Sequence, residues 1–369
     1  MSYEQTTSKA ILLLEDGTVF EGKSFGAAGT AVGEVVFTTS AVGFQETITD
    51  PSYFGQIITQ TFPLTGNYGM NAADSESDRA HATGYIVREW CEQPSNFRCE
   101  ETIDAFLKAQ GVIGLYDIDT RALTAHLREQ GTMNGVITND MAADRAELLK
   151  MAKSFRIQQS VQAVSVTELK RYSATGERVG EVAVYDFGCL RSIIDAFNGR
   201  GYDVTLLPWN TPADQAAALA PDGIVLAGGP GNPEDCGELL PSIRALMGSG
   251  IPVMGIGLGH QLMALAVGAQ VKKLPHGHRG GSQPVVDSGI GKTFVTSQNH
   301  GYAVDEGSLP KSEGEVFCRN INDKTCEGIS YKKSPAFSIQ FHPEAFTGTG
   351  DKHYYVGRFI NMMNAGGNR

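Results

Sequence analysis

The chain has 369 residues, enough for two or three domains that each bury a core of their own. It is 41% hydrophobic and 19% charged, and 30 Lys and Arg against 41 Asp and Glu leave a net charge of −11. That balance speaks against nonspecific binding to nucleic acid or to an anionic membrane. MSYEQTTSKA has no basic-then-apolar signal pattern and no apolar run is long enough to span a bilayer, so a cytoplasmic protein is expected.

The first half reads as β-hairpins mixed with a few helices, an α+β layout over residues 1–150. Ala10 to Leu14, the Asp16-Gly17 turn and Thr18-Val19-Phe20 predict a hairpin over 10–22. Further strands are expected at 32–39, 56–61 and 84–88, with a turn-rich segment from Thr47 to Gly55 between the first two. A helix over 102–110 and a short strand over 112–116 follow, and Asp119 reads as the N-cap of a helix that runs to Glu129 before Gly131. One more helix is expected from Ala142 to Phe155, and the polar stretch after it has no clear period. Residues 151–180 are read as an inter-domain linker.

From Glu181 to Arg369 the pattern is β-α-β-α. Strands are expected at 182–185, 204–207, 223–227 and 253–256, helices at 190–199, 212–219 and 235–247. The alternation predicts an α/β domain with a mostly parallel sheet flanked by helices, its functional loops beyond the carboxyl ends of the strands. Shorter strands are expected after 270, ending at Ala336–Phe341, with a last helix from about His353 to Met363.

Four constellations in this half carry possible chemistry. In Gly255-Ile256-Gly257-Leu258-Gly259 an apolar strand breaks at three alternating glycines and resumes with Leu258, Leu262 and Leu265 at helical spacing. That is the layout of a nucleophile elbow, with Gly257 at its tip. The spacing and late position do not fit a dinucleotide fingerprint. In Phe341-His342-Pro343-Glu344 a histidine precedes a carboxylate by two residues, which suits a base and its orienter. The loop Gly228 to Pro233 exposes backbone N–H groups able to receive an oxyanion. Ser297-Gln298-Asn299-His300-Gly301-Tyr302 offers side chains able to grip a polar substrate. Taken singly, the last three read equally as a surface loop, an ordinary strand-to-helix turn and a hairpin corner. The six cysteines, Cys91, Cys99, Cys189, Cys236, Cys318 and Cys326, form no C-x-x-C pair and read as free thiols. No metal site is expected on this chain.

Together, Gly255–Gln261, GGPGNP at 228–233, QNHGYAVD at 298–305 and FHPEA at 341–345 resemble the class I glutamine amidotransferase domain. GEVVFTTS at 33–40, GFQETITDPSYFGQI at 43–57, GNYG at 66–69, SNFR at 95–98 and DIDTR at 117–121 resemble the small chain of carbamoyl-phosphate synthase. The resemblance implies a chain that takes ammonia from L-glutamine and passes it to a large chain, where ATP and a divalent metal serve carbamoyl phosphate synthesis for arginine and pyrimidines. It implies no cofactor on this chain. Matched by position, His342 is the general base and Glu344 its orienter. Gly229, Gly231 and Leu258 hold substrate and oxyanion by their backbone, and Ser52, Gln261, Asn299, Gly301 and Tyr302 line the glutamine site.

One departure dominates. Gly257 stands where the family has its nucleophilic cysteine, and a glycine forms no thioester. Glutaminase activity is therefore expected to be lost or very low. Leu190 and Ser192 stand where the family has Lys and Asn, and Ser282 where Asn is usual. Two other roles remain open: a non-catalytic scaffold subunit of an ammonia-dependent carbamoyl-phosphate synthase, and a glutamine-binding regulatory module.

Overall fold

The computed structural model describes residues 8–344 and 354–366, and the chain divides into two compact units between Gln158 and Gln159. In the first unit the expected hairpin forms from Lys9–Leu14 and Val19–Gly26, with Leu13 opposite Val19. Thr30–Thr38, Gln56–Gln60 and Gly84–Ile86 lie side by side as parallel neighbours. With Ile113–Tyr116 and Met133–Thr138 these strands close into a seven-stranded barrel. Met133–Thr138 has no counterpart in the sequence reading. Its run lacks alternation, and it is held by pairing on both sides, with Lys9–Leu14 and Thr30–Thr38.

Successive strand residues point to opposite faces, and here both faces are covered. Val35, Ile57, Ile86 and Leu115 belong to one apolar cluster. Val36, Ile58 and Tyr85 belong to another, with Ile103 and Leu107 of the helix Ile103–Gln110. That helix starts where Thr102 accepts from the Ala105 amide and ends at Gly111, and Thr120–Gln130 starts at Asp119 as expected. The segment read as turns is instead a short helix, Phe44–Thr49, and a 3-10 turn, Pro51–Tyr53, in which Asp50 accepts from the Ser52 amide at 2.8 Å.

Residues 151–180 form no tether. The helix Arg145–Ser154 runs into this stretch and packs Leu148 and Ala152 against Leu13 and Val136 of the barrel. Ser160–Val164 is a helix whose Val161 is buried in the second unit, and Lys170–Tyr172 pairs with Tyr202–Pro208. Polar composition hid these contacts, because one buried valine and one carboxylate do most of the anchoring: Asp186 accepts from the Val166 amide at 2.7 Å.

The second unit is built on a ten-stranded sheet. Its centre is parallel, as the alternation predicts: Tyr202–Pro208, Gly180–Asp186, Gly223–Leu226, Val253–Ile256 and Ala336–Ile339 lie in that order. Along Gly180–Asp186, Val182 and Val184 join one core and Ala183 and Tyr185 the other. The first core takes Ile193 and Phe197 of Arg191–Asn198 and Tyr355 and Phe359 of Tyr354–Gly366. The second takes Leu246 of Leu240–Gly248 and Leu262 of Leu258–Ala266. After residue 270 the expectation of shorter strands is corrected. Gln270–Asp287 and Lys292–Asp305 form one long antiparallel hairpin, in which bulges between Lys273 and His278 and between Gly280 and Gln283 absorb the glycines that looked like strand ends. His353 and Ala345, which the sequence reading placed at the start of the last helix and the end of FHPEA, lie outside the described residues.

Candidate active site

The three glycines of the elbow are required for two different reasons. A Cβ at Gly255 would press on Met263 and the Gly259 backbone, and one at Gly259 would run into the Leu226 carbonyl, so these two let helix Leu258–Ala266 lie close on its strand. Gly257 is different. It sits at φ +53°, ψ −108°, a conformation that disfavours side chains. Yet a Cβ there would meet nothing closer than Gly228 Cα at 3.4 Å and the Gln340 carbonyl at 3.9 Å. The tip has room for a side chain, in a backbone conformation that only glycine adopts without strain.

The tip is fixed on three sides. The Gly257 amide donates to the Ile339 carbonyl at 2.9 Å, Gly259 donates to Ala227 at 3.1 Å, and Gln261 donates back to Gly257 at 3.2 Å. Val253–Ile256 and Ala336–Ile339 are parallel neighbours, so Gly257 and His342 both leave the sheet at its carboxyl end. The His342 amide donates to the Ser297 carbonyl at 3.0 Å, which ties the Phe341–Glu344 loop to Lys292–Asp305. His342 Nδ1 lies 3.4 Å from Glu344 Oε1. The Glu344 carboxylate is buried, and neither oxygen receives a well-aligned hydrogen bond.

Facing the tip is the loop after Gly223–Leu226. Gly229 is packed against the Phe187 carbonyl and Gly231, at φ +94°, against Ser160 Oγ, so neither position admits a side chain. Ser160 Oγ donates to the Pro230 carbonyl at 3.1 Å. This residue positions the loop, and the sequence reading missed it because it fell in the presumed linker. Leu258 opens the elbow helix, and its amide is among the first-turn donors that no carbonyl of the helix can satisfy. That leaves backbone donors at both sides of the Gly257 tip, the arrangement an oxyanion site needs.

Gln261 does not present its amide to the cleft. It is buried, and its Nε2 donates to the Tyr302 carbonyl at 2.8 Å and to Gln340 Oε1 at 2.9 Å. It anchors the Gln298–Tyr302 stretch to the elbow helix. That stretch is not a hairpin corner but the middle of Lys292–Asp305. Strand alternation puts Asn299 and Gly301 on one face and Gln298, His300 and Tyr302 on the other. The Asn299 Nδ2 is buried without a hydrogen-bond partner, a donor left available. Ser52 lies in the first unit, buried in the turn Pro51–Tyr53. Of the other sequence-predicted residues, Gly257, Leu258 and Gln261 lie on the elbow and its helix, Asn299, Gly301 and Tyr302 on the strand that Gln261 holds, and His342 and Glu344 on the loop tied to that strand at Ser297, with Gly229 and Gly231 on the loop facing Gly257.

The remaining departures are quiet in the structure. Leu190 is buried in the core beside Ile193 and Ile194, and Ser282 is exposed. All six cysteines are free thiols. Burial pushes the Cys236 thiol up to about 11 and the Cys326 thiol up to about 12, so neither supplies a thiolate near neutrality.

A parallel sheet with a glycine elbow, a glycine-rich loop and a His–Glu pair at its carboxyl end is the layout of a class I amidotransferase unit, and residues 183–362 match the family Glutamine amidotransferase class-I. Residues 12–137 match the Carbamoyl-phosphate synthase small chain, CPSase domain. The chain is 45% identical over 369 residues to the carbamoyl phosphate synthase small chain of Syntrophotalea carbinolica, covering 96% of this chain and 98% of that one. It is 44% identical to the one from Listeria monocytogenes, over 97% of each chain, and 45% identical to the one from Clostridium perfringens, over 95% of this chain and 99% of that one. The chain belongs to the carbamoyl-phosphate synthase small chain family. Among the described residues no helix is long and apolar enough to cross a membrane.

Proposed function

We propose that this chain is the glutamine-facing small subunit of a carbamoyl-phosphate synthase, that it binds L-glutamine, and that as it stands it does not hydrolyse it. The observation that carries the reading is the Gly257 tip: an elbow in a conformation suited to glycine, with space for a side chain, at the same carboxyl end of the sheet that the His342–Glu344 loop leaves. Gly257 occupies the position of the family's cysteine. Without a thiol no covalent intermediate forms, and losing the nucleophile of a comparable triad costs on the order of a million-fold in turnover. The amides of Gly229, Gly231 and Leu258 serve the substrate carbonyl, and Asn299 Nδ2 is the donor left for its polar groups. The partner is a large chain, on which ATP and a divalent metal are bound.

Ammonia release from glutamine by the chain and by Gly257→Cys tests this. The chain gives none above background, and Gly257→Cys gains activity by several orders of magnitude, with His342 as the base that takes the thiol proton. Measurable release by the unaltered chain refutes the loss. No gain in Gly257→Cys refutes an otherwise intact site and favours a scaffold role. Calorimetry with millimolar glutamine gives heat that Asn299→Ala reduces; no heat from the unaltered chain removes glutamine binding.

A further inference from the structure

On the face of Lys292–Asp305 opposite Asn299, a second cluster is assembled that the amidotransferase chemistry does not use. His278, His300 and Glu327 come from Gln270–Asp287, Lys292–Asp305 and Cys326–Tyr331. They are 8%, 8% and 0% exposed, and one ligand atom from each lies within 4.8 Å of the others. Gln298 sits among them.

The hydrogen bonds fix which ring nitrogens carry protons. His300 Nδ1 lies 2.7 Å from the Tyr302 carbonyl, which only accepts, so Nδ1 is the protonated nitrogen. His278 Nε2 lies 2.8 Å from the Asp323 carboxylate, so its proton is on Nε2. Both remaining nitrogens turn inward, and both face one oxygen: Gln298 Oε1 is 2.9 Å from His300 Nε2 and 3.2 Å from His278 Nδ1. Gln298 cannot simply flip, because its Nε2 donates to Thr296 Oγ1 and to Glu327 Oε2, each at 3.0 Å. Glu327 Oε1 completes the ring, 3.4 Å from His278 Nδ1. Lone pairs therefore converge on one buried point from two imidazoles, a carboxylate and an amide carbonyl. These three pairwise separations, 2.9–3.4 Å, are those between neighbouring ligands around an ion bound at roughly 2.0–2.1 Å, and the His and Glu ligand atoms as a set lie within 4.8 Å of one another. A carbonyl and a carboxylate on the outer ring nitrogens are the supports that metal-binding histidines use.

We propose that His278, His300, Glu327 and the Gln298 carbonyl form a structural site for a zinc-type divalent cation. Nitrogen and oxygen donors in a closed, buried set suit that ion better than calcium or magnesium, which take oxygen ligands. The ion cross-links three strands and, through His300, steadies the Tyr302 carbonyl that Gln261 also holds. The competing arrangement is a second proton on His278, held between Asp323 and Glu327 with no metal.

The test uses the full chain, stripped with chelator, incubated with zinc alone and desalted. One zinc per chain by elemental analysis is expected, with a rise in Tm of several degrees and, for cobalt in place of zinc, visible absorption of a closed nitrogen–oxygen site. His300→Ala loses the bound metal. Asp323→Asn, outside the ligand set and partly exposed, keeps the fold and weakens zinc affinity about 10- to 100-fold. Less than a tenth of an equivalent of zinc on the unaltered chain overturns the proposal. So does full zinc occupancy in Asp323→Asn with unchanged affinity and unchanged cobalt absorption, or retention in a folded His300→Ala chain, since the ion then sits elsewhere.

Discussion

At the scale of single residues, the elbow separates steric from conformational need. Gly259→Ala forces its Cβ into the Leu226 backbone on top of filling a packed site, and overpacking costs typically about 1–3 kcal/mol, more where the obstacle is backbone that cannot yield. Gly257→Ala has space but keeps φ at +53°, a strain of about 1–3 kcal/mol. Urea denaturation is expected to rank the two in that order; equal losses would contradict the space seen at Gly257. The sequence already showed that three glycines were special. It did not show that they differ, because the difference lies in the Leu226 and Gly228 backbones, which come from a distant strand and its loop.

At the scale of elements, the site is held by contacts between segments far apart in the chain. Gln261 joins the elbow helix to Lys292–Asp305. Gln261→Leu leaves the Tyr302 carbonyl and Gln340 Oε1 buried without that donor, and a loss of about 1–3 kcal/mol in chemical denaturation is expected. An unchanged midpoint would mean water replaces the amide. The sequence made the parallel strands legible, since each is an apolar run with turn signals at both ends. It made Gln270–Asp287 illegible, since its bulges carry glycines and a proline that look like stops. The His278, His300 and Glu327 cluster was hidden for a similar reason: its spacings fit no metal motif, and only strand register brings it together. Ser160 was hidden by polar neighbours, though its hydroxyl braces the glycine-rich loop at Pro230.

At the scale of the whole molecule, both units carry a buried neutral histidine. Burial, with the Arg79 charge adding to it, pulls His81 down to about 4, and burial alone pulls His260 down to about 3. His260 Nδ1 lies 2.8 Å from Ser338 Oγ. In the unfolded chain each histidine titrates near 6.5, so between that value and the folded one the unfolded state binds the extra proton. Their contribution is complete above about pH 6.5 and is lost as pH falls toward 4, by up to about 1.4 kcal/mol per pH unit for each. Thermal denaturation at pH 7 and pH 5 is expected to show the fall, and His260→Gln to flatten it. A variant as pH-sensitive as the parent would place the effect elsewhere.

The closed ring of seven strands in the first unit has a further bearing on how this chain meets others. Every strand there already has a neighbour on each flank, so no backbone rim is left for a foreign strand to zip onto. Whatever docks on the wall of that barrel must do so through side chains and loops. The ten-stranded sheet is different. It stops on one side at the three-residue, lysine- and arginine-bearing Lys170–Tyr172, and on the other at the fourteen-residue Lys292–Asp305. Mispairing between copies under stress should therefore begin at that long terminal strand, the same one that carries Asn299 and His300.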